Sequence, residues 1–179
     1  MAATVRIWDP FVRVFHWSLV ASFALAWITA EEVKTLHIWA GYAAAGLIAL
    51  RLLWGVVGTR YARFGQFVRS PSAVAAYLRD IVTGREARYL GHNPAGGLMI
   101  VALIVIMAGV CLTGWMQISD AMRGVEWAED VHEALASLML GLVGLHVLGV
   151  FMASLRHREN LVRAMVTGRK RSPGAADIS

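Results

Sequence analysis

The sequence predicts an all-α membrane protein: a four-transmembrane-helix bundle with a short cytoplasmic amphipathic helix between the second and third spans. Three observations carry that expectation. Of 179 residues, 58% are hydrophobic and 16% are charged, and mean hydropathy is +0.56. The apolar residues fall into four blocks, about 11–30, 36–57, 94–116 and 131–155. Each approaches or exceeds the roughly 20 residues that cover a hydrocarbon core. Lys and Arg are also partitioned sharply among the segments that join these blocks.

That partition sets the expected orientation. Fifteen Lys and Arg fall in the two ends of the chain, the 58–93 segment and the adjoining span ends, against Lys34 and Arg123 in the other two loops. The positive-inside rule then places both termini and the 58–93 loop in the cytoplasm. The short loops near 31–35 and 117–130 face the periplasm and carry Glu31, Glu32, Asp120, Glu126, Glu129 and Asp130, with Glu133 just beyond. Such a face is either simply solvated or a docking surface for a basic soluble partner.

The first element follows a cytoplasmic lead-in. Asp9-Pro10 reads as a helix start, with Asp9 at the N-cap and Pro10 at the first helical position. The first block lacks a small-residue cleavage site ahead of a polar domain, so it reads as a span and not as a cleaved signal. Trp8, Trp17, Trp27, Trp39, Trp54, Trp115 and Trp127 mostly fall near span ends, as an interfacial aromatic belt does. In the 58–93 loop a helical pattern starts at Ser72 and stops at Gly84, with Val74, Tyr77, Leu78 and Ile81 on one side. It reads as a helix lying on the membrane surface. Gly91-His92-Asn93-Pro94 turns the chain into the third span, with Asn93 as cap. Residues 1–171 form one domain, and the chain from 172 to 179 is expected to be disordered. Cys111 stands alone, which excludes an intrachain disulfide, and there is no Cys-x-x-Cys-His for covalent haem attachment. It reads as a small apolar core residue.

Four of the six histidines lie inside or at the edges of the spans, where ionisable residues are costly and usually functional. By the topology, His16 starts the first span on the cytoplasmic side, and His37 starts the second on the periplasmic side. His132 starts the fourth on the periplasmic side. His146 follows fourteen residues later, a descent of roughly 21 Å over nearly four turns, so the two share one face. Two level-matched pairs result, His16 with His146 and His37 with His132. A b-type haem needs two axial imidazoles about 4 Å apart on facing helices, and helix bundles provide such sites. Zinc would need four ligands including Cys or carboxylate, which these positions do not offer. Two haem b groups are therefore expected.

Arg51 follows His37 by fourteen residues and returns to the cytoplasmic level. It is either a partner for a haem propionate or an Arg snorkelling to the interface. Gly41, Gly46, Gly109, Gly141, Gly144 and Gly149 leave either notches for a flat macrocycle or close helix contacts. His92 reads as a loop or capping residue, with a quinone or proton-transfer role as the alternative. His157, within Arg156-His157-Arg158, reads as part of a solvated basic tail.

From Trp8-Asp9-Pro10 and Arg13-Val14-Phe15-His16-Trp17 onward, the chain resembles the bacterial cytochrome b561 family. That family shares its domain with the b-type cytochrome subunit of nickel-dependent hydrogenases. The resemblance runs over about residues 5–171. It continues through His37-Ile38-Trp39-Ala40-Gly41-Tyr42, Arg51-Leu52-Leu53-Trp54-Gly55, Gly91-His92-Asn93-Pro94-Ala95-Gly96-Gly97, His132-Glu133, Leu145-His146 and Arg158-Glu159-Asn160-Leu161. It implies a di-haem membrane cytochrome exchanging electrons with ubiquinone or menaquinone, with His16, His37, His132 and His146 as ligands. The implied partners are the lipid bilayer, quinone, and a periplasmic cytochrome c or hydrogenase-type protein. Nucleic acid is not among them, and a homodimer is compatible with the sequence. Two other readings stand beside electron transfer: a superoxide:quinone oxidoreductase, and a haem-free anchor subunit of a redox complex.

Overall fold

A computed structural model describes residues 3–175, 177 and 178. Among these residues, four helices are long and apolar enough to cross a membrane. They are α1 (Pro10–Thr29), α2 (Lys34–Val57), α5 (Pro94–Ile118) and α6 (Glu126–Arg156). Between α2 and α5 come a 3-10 turn at Arg60–Ala62, α3 (Phe64–Phe67) and α4 (Pro71–Thr83). After α6 come α7 (Leu161–Thr167) and the strand β2 (Arg169–Arg171), which pairs antiparallel with β1 (Thr4–Arg6) near the other chain end. The chain resolves into two compact units, Val14–Leu52 with Ala102–Val143, and Met1–Arg13 with Leu53–Val101 and Gly144–Ser179.

The unit of Val14–Leu52 and Ala102–Val143 is made only of helix segments and their short joins. Its buried side chains include Ala40, Ala44, Ile48, Ile104, Met107 and Met139, together with Phe15 and the polar Thr113 and Arg51. Large apolar side chains such as Ile28 and Trp39 face outward. This is the inverse of a soluble bundle, and it is what lipid as solvent demands. Polar contacts tie the helices in pairs. Cys111 Sγ on α5 lies 3.8 Å from the Gly41 carbonyl oxygen on α2, in keeping with its reading as a packing residue. α6 begins five residues before the expected span, at Glu126, because Glu126 and Glu129 favour the positive end of the helix dipole. The loop before it is correspondingly short, and Gly124 turns it at φ 79°.

The second unit gathers the chain ends, the 58–93 segment and the adjoining helix ends. Asp9 caps α1 as expected: its Oδ1 accepts from the Val12 N–H at 2.9 Å. Its Oδ2 also accepts from the Trp54 indole at 3.2 Å and the Thr59 hydroxyl at 2.5 Å. Burial opposes the Asp9 charge, but these donors hold its carboxyl below the usual range. Trp8 departs from the aromatic-belt reading. It is buried in a core with Ile7, Val12, Ala62, Leu90 and Ala164. Ser70, not Ser72, caps α4, with Pro71 at its first position, and Gly84 ends it at φ 69°. Val74 and Tyr77 of α4 are buried, while Leu78 and Val82 are exposed.

The stretch from residue 172, for which the sequence offers no pattern, includes Asp177 and Ile178. The Asp177 carboxylate pairs with Arg88, and the Ile178 N–H donates to the Arg88 carbonyl at 2.9 Å. Residues 176 and 179 lie outside the described residues. Arg88 also bridges to Glu159 at 2.7 Å. Lys170 Nζ reaches the Tyr89 carbonyl at 3.2 Å beneath the Trp8 ring. A basic tail free in solvent is thus replaced, over these residues, by a buried ion network.

Candidate functional site

α2 and α6 each bring one histidine to the same place. His37 lies in the first turn of α2 and His132 in the second turn of α6, where the early start of α6 puts it. Their ring centres are 6.1 Å apart and their planes stand at 75°. Each ring is oriented by its Nδ1. That of His37 lies 2.8 Å from the Ala26 carbonyl oxygen of α1. That of His132 lies 3.0 Å from the Val110 carbonyl oxygen of α5 and 3.1 Å from Thr113 Oγ1. A carbonyl oxygen only accepts, so the ring proton sits on Nδ1 in both cases. Each Nε2 then keeps its lone pair, the tautomer a metal-ligating imidazole needs.

The spacing tests whether a haem fits. A metal–nitrogen bond of about 2.0 Å and a nitrogen about 1.1 Å from its ring centre put two axial rings roughly 6.2 Å apart across one iron. The observed 6.1 Å matches that separation. Among the described residues, no group of three or more His, Cys, Asp and Glu side chains gathers as a metal site. A bare ion would lack ligands between these two rings, whereas haem brings four equatorial nitrogens of its own. His37 and His132 are the residues that would hold a haem iron here, each with Nδ1 engaged and Nε2 left to bind.

Small residues keep the space beside the rings. A Cβ on Gly114 would stand 3.0 Å from His132 Cε1, and one on Gly109 would stand 3.1 Å from a methyl of Leu135. Gly41 and Gly46 of α2 and Gly141 of α6 face open space within the same 4 Å radius. For Gly109, close packing is therefore the physical reading, while Gly41 and Gly46 retain room. Sequence reasoning passed over Thr113 and Gly114. Their signal was present: a Thr-Gly pair within the most continuous apolar block of the chain.

The other candidates are placed separately. His16 lies in the second turn of α1, edge-on to Trp17 at 5.0 Å, and belongs to the same unit as His37 and His132. Arg51, near the end of α2, is only 3% exposed, which a snorkelling Arg would not be. His146 lies on α6 in the other unit and is half-buried. His92 is packed between the Trp8 and Phe67 rings, 4.5 and 4.8 Å away. The capping falls to its neighbour, Asn93 Oδ1, which accepts from the Gly96 N–H at 2.7 Å. His157 is half-buried just past α6, and burial lowers its pKa.

A comparison with curated proteins finds no match. A family model described as prokaryotic cytochrome b561 matches residues 7–168, nearly the whole chain and all four long helices. With that match and four membrane-length helices, the chain belongs to the prokaryotic cytochrome b561 family, the b-type membrane cytochromes of bacterial electron transfer.

Proposed function

We propose that this protein is a di-haem cytochrome of the bacterial inner membrane, carrying electrons between a periplasmic redox partner and the quinone pool. The observation that carries the reading is the His37–His132 pair, with its 6.1 Å spacing and both Nδ1 atoms engaged by carbonyl oxygens. Haem iron between two imidazoles supplies a one-electron couple with no change of ligands. The protein's part is to keep both rings neutral, fix their tautomers and exclude water from the centre.

His16 and His146 are proposed as the second pair. The support is the fourteen-residue spacing of His132 and His146 on one continuous helix, which returns His146 to the far leaflet on the same face. Arg51, buried at that end of α2, suits a propionate and would favour the reduced state there through its positive charge. The distribution of Lys and Arg supports cytoplasmic termini. With that orientation, α4 would rest its exposed Leu78 and Val82 on the inner surface of the membrane.

Haem content and the visible reduced-minus-oxidised spectrum of purified protein test the proposal. Two haem b per chain is the expected result. A colourless preparation made with ample haem, or one haem per chain, would overturn it.

A further inference from the structure

A concavity of about 560 Å³ lies where α2 ends and the 3-10 turn and α3 begin, and its lining includes Gly55, Val56, Arg60, Arg63 and Phe64. All of it belongs to one unit of the chain. Its two charged lining residues are both arginines, and among the described residues neither forms an ion pair within 4 Å. Arg63 is positioned. Its Nε donates to the Gly58 carbonyl at 2.7 Å, which occupies the inner edge of the guanidinium and leaves the two terminal amino groups for another acceptor. The Arg60 guanidinium lies over the Tyr61 ring, 5.4 Å from its centre, and a stacked guanidinium keeps its in-plane donors available.

The apolar wall gives the ligand its second property. Leu53, Val56 and Val57, on the last turns of α2, are 61–70% exposed. They form a strip along a membrane-length helix that runs directly to the two arginines. A ligand filling this place has an anionic head with forked acceptors and an apolar tail. We infer that the concavity binds the phosphodiester head of an anionic phospholipid through Arg60 and Arg63, with an acyl chain laid along the end of α2. Planar guanidinium forks match phosphate oxygens in pairs, and basic pockets at helix ends hold such headgroups. The site needs only the lipid–water boundary at the end of α2, and it is independent of the haem ligands.

Native mass spectrometry of the whole protein in neutral detergent, titrated with phosphatidylglycerol or phosphatidylcholine of identical chains, tests the site. The wild type is expected to retain phosphatidylglycerol about tenfold more tightly. Arg60→Gln with Arg63→Gln should abolish that preference, and Arg60→Gln alone should reduce it. Arg79→Gln with Arg85→Gln, on and just after α4, should leave it intact. Equal retention of the two lipids by the wild type would overturn the inference. So would a preference that survives in the Arg60/Arg63 variant or disappears in the Arg79/Arg85 variant. Displacement of phosphatidylglycerol by millimolar inorganic phosphate would reassign the site to a free anion and overturn the lipid proposal.

Discussion

His37 of α2 and His132 of α6 meet at a steep angle with ring centres 6.1 Å apart, and each has its Nδ1 against a carbonyl oxygen of another helix. Four helices therefore contribute to one imidazole pair: two supply the rings, and α1 and α5 supply the acceptors that aim them.

Replacing His132 with Ala should remove one haem and leave the other. The expected result is half the wild-type haem per chain, with the remaining spectrum intact. Because the two rings act as a unit, His37→Ala and the double variant should give the same half. Wild-type haem content in any of the three would refute the pairing.

Thr113 shares the His132 Nδ1 proton with the Val110 carbonyl and donates its own hydroxyl proton to the Gly109 carbonyl at 2.8 Å. Thr113→Val removes one of two acceptors, so the imidazole becomes a weaker electron donor. The midpoint potential of the associated haem should rise. A difference of up to about 1 kcal/mol corresponds to ~40 mV for one electron. Redox titration of the two haems should show one midpoint displaced upward and the other unchanged.

Gly114→Val would place carbon against the His132 ring, where even a bare Cβ stands 3.0 Å from Cε1. The ring is enclosed by packed helices and held by its own hydrogen bonds, so it has little room to yield. Haem occupancy at that pair should fall severalfold, measured as haem per chain, while Gly141→Ala, with nothing within 4 Å of its Cβ, should retain it.

Burial lowers the Lys170 pKa to about 8, against the attraction of Glu159 and Asp177 and with the repulsion of Arg88. The unfolded chain holds that proton up to about 10.4. Between these values the unfolded state binds more protons, so stability gained from this residue increases as pH rises from 8 to 10. Lys170→Met should remove that gain, on the order of 2 kcal/mol. It would appear as a wild-type-minus-variant melting difference that changes with pH over this range and is flat below pH 7.

Glu31, Glu32, Glu129 and Asp130 are exposed around the helix ends near His37 and His132. If they steer a basic soluble partner, reduction by such a cytochrome should slow steeply between low salt and about 0.2 M, because exposed charges are screened over about 10 Å at 0.1 M. A salt-independent rate would remove the docking role.

Much of this was legible in the chain. Apolar block length gave four long helices to within a few residues, because a bilayer fixes helix length. Asp9-Pro10 and Asn93-Pro94 announced their caps, since capping chemistry is local. The nearness of His37 and His132 followed from topology, because each was expected in the first turn of a span entered from the same side. What failed to show was non-local. Nothing in Arg169-Lys170-Arg171 indicates a strand, because its partner lies at residues 4–6, and three basic residues read as solvated until a paired strand covers them. The burial of Trp8 depends on that same closure, and Thr113 gains meaning only once α6 places His132 beside it.

The pairing of β1 with β2 also orders events during synthesis. Arg171 is made 167 residues after its partner, Thr4 (171 − 4). At roughly 5–20 residues per second, the amino-terminal strand waits on the order of ten to thirty seconds for its mate. The core around Ile7 and Trp8 therefore closes only after Ala164 and the second strand have been made. All four long helices precede that strand in the chain, so the ribbon closes after their residues have been made.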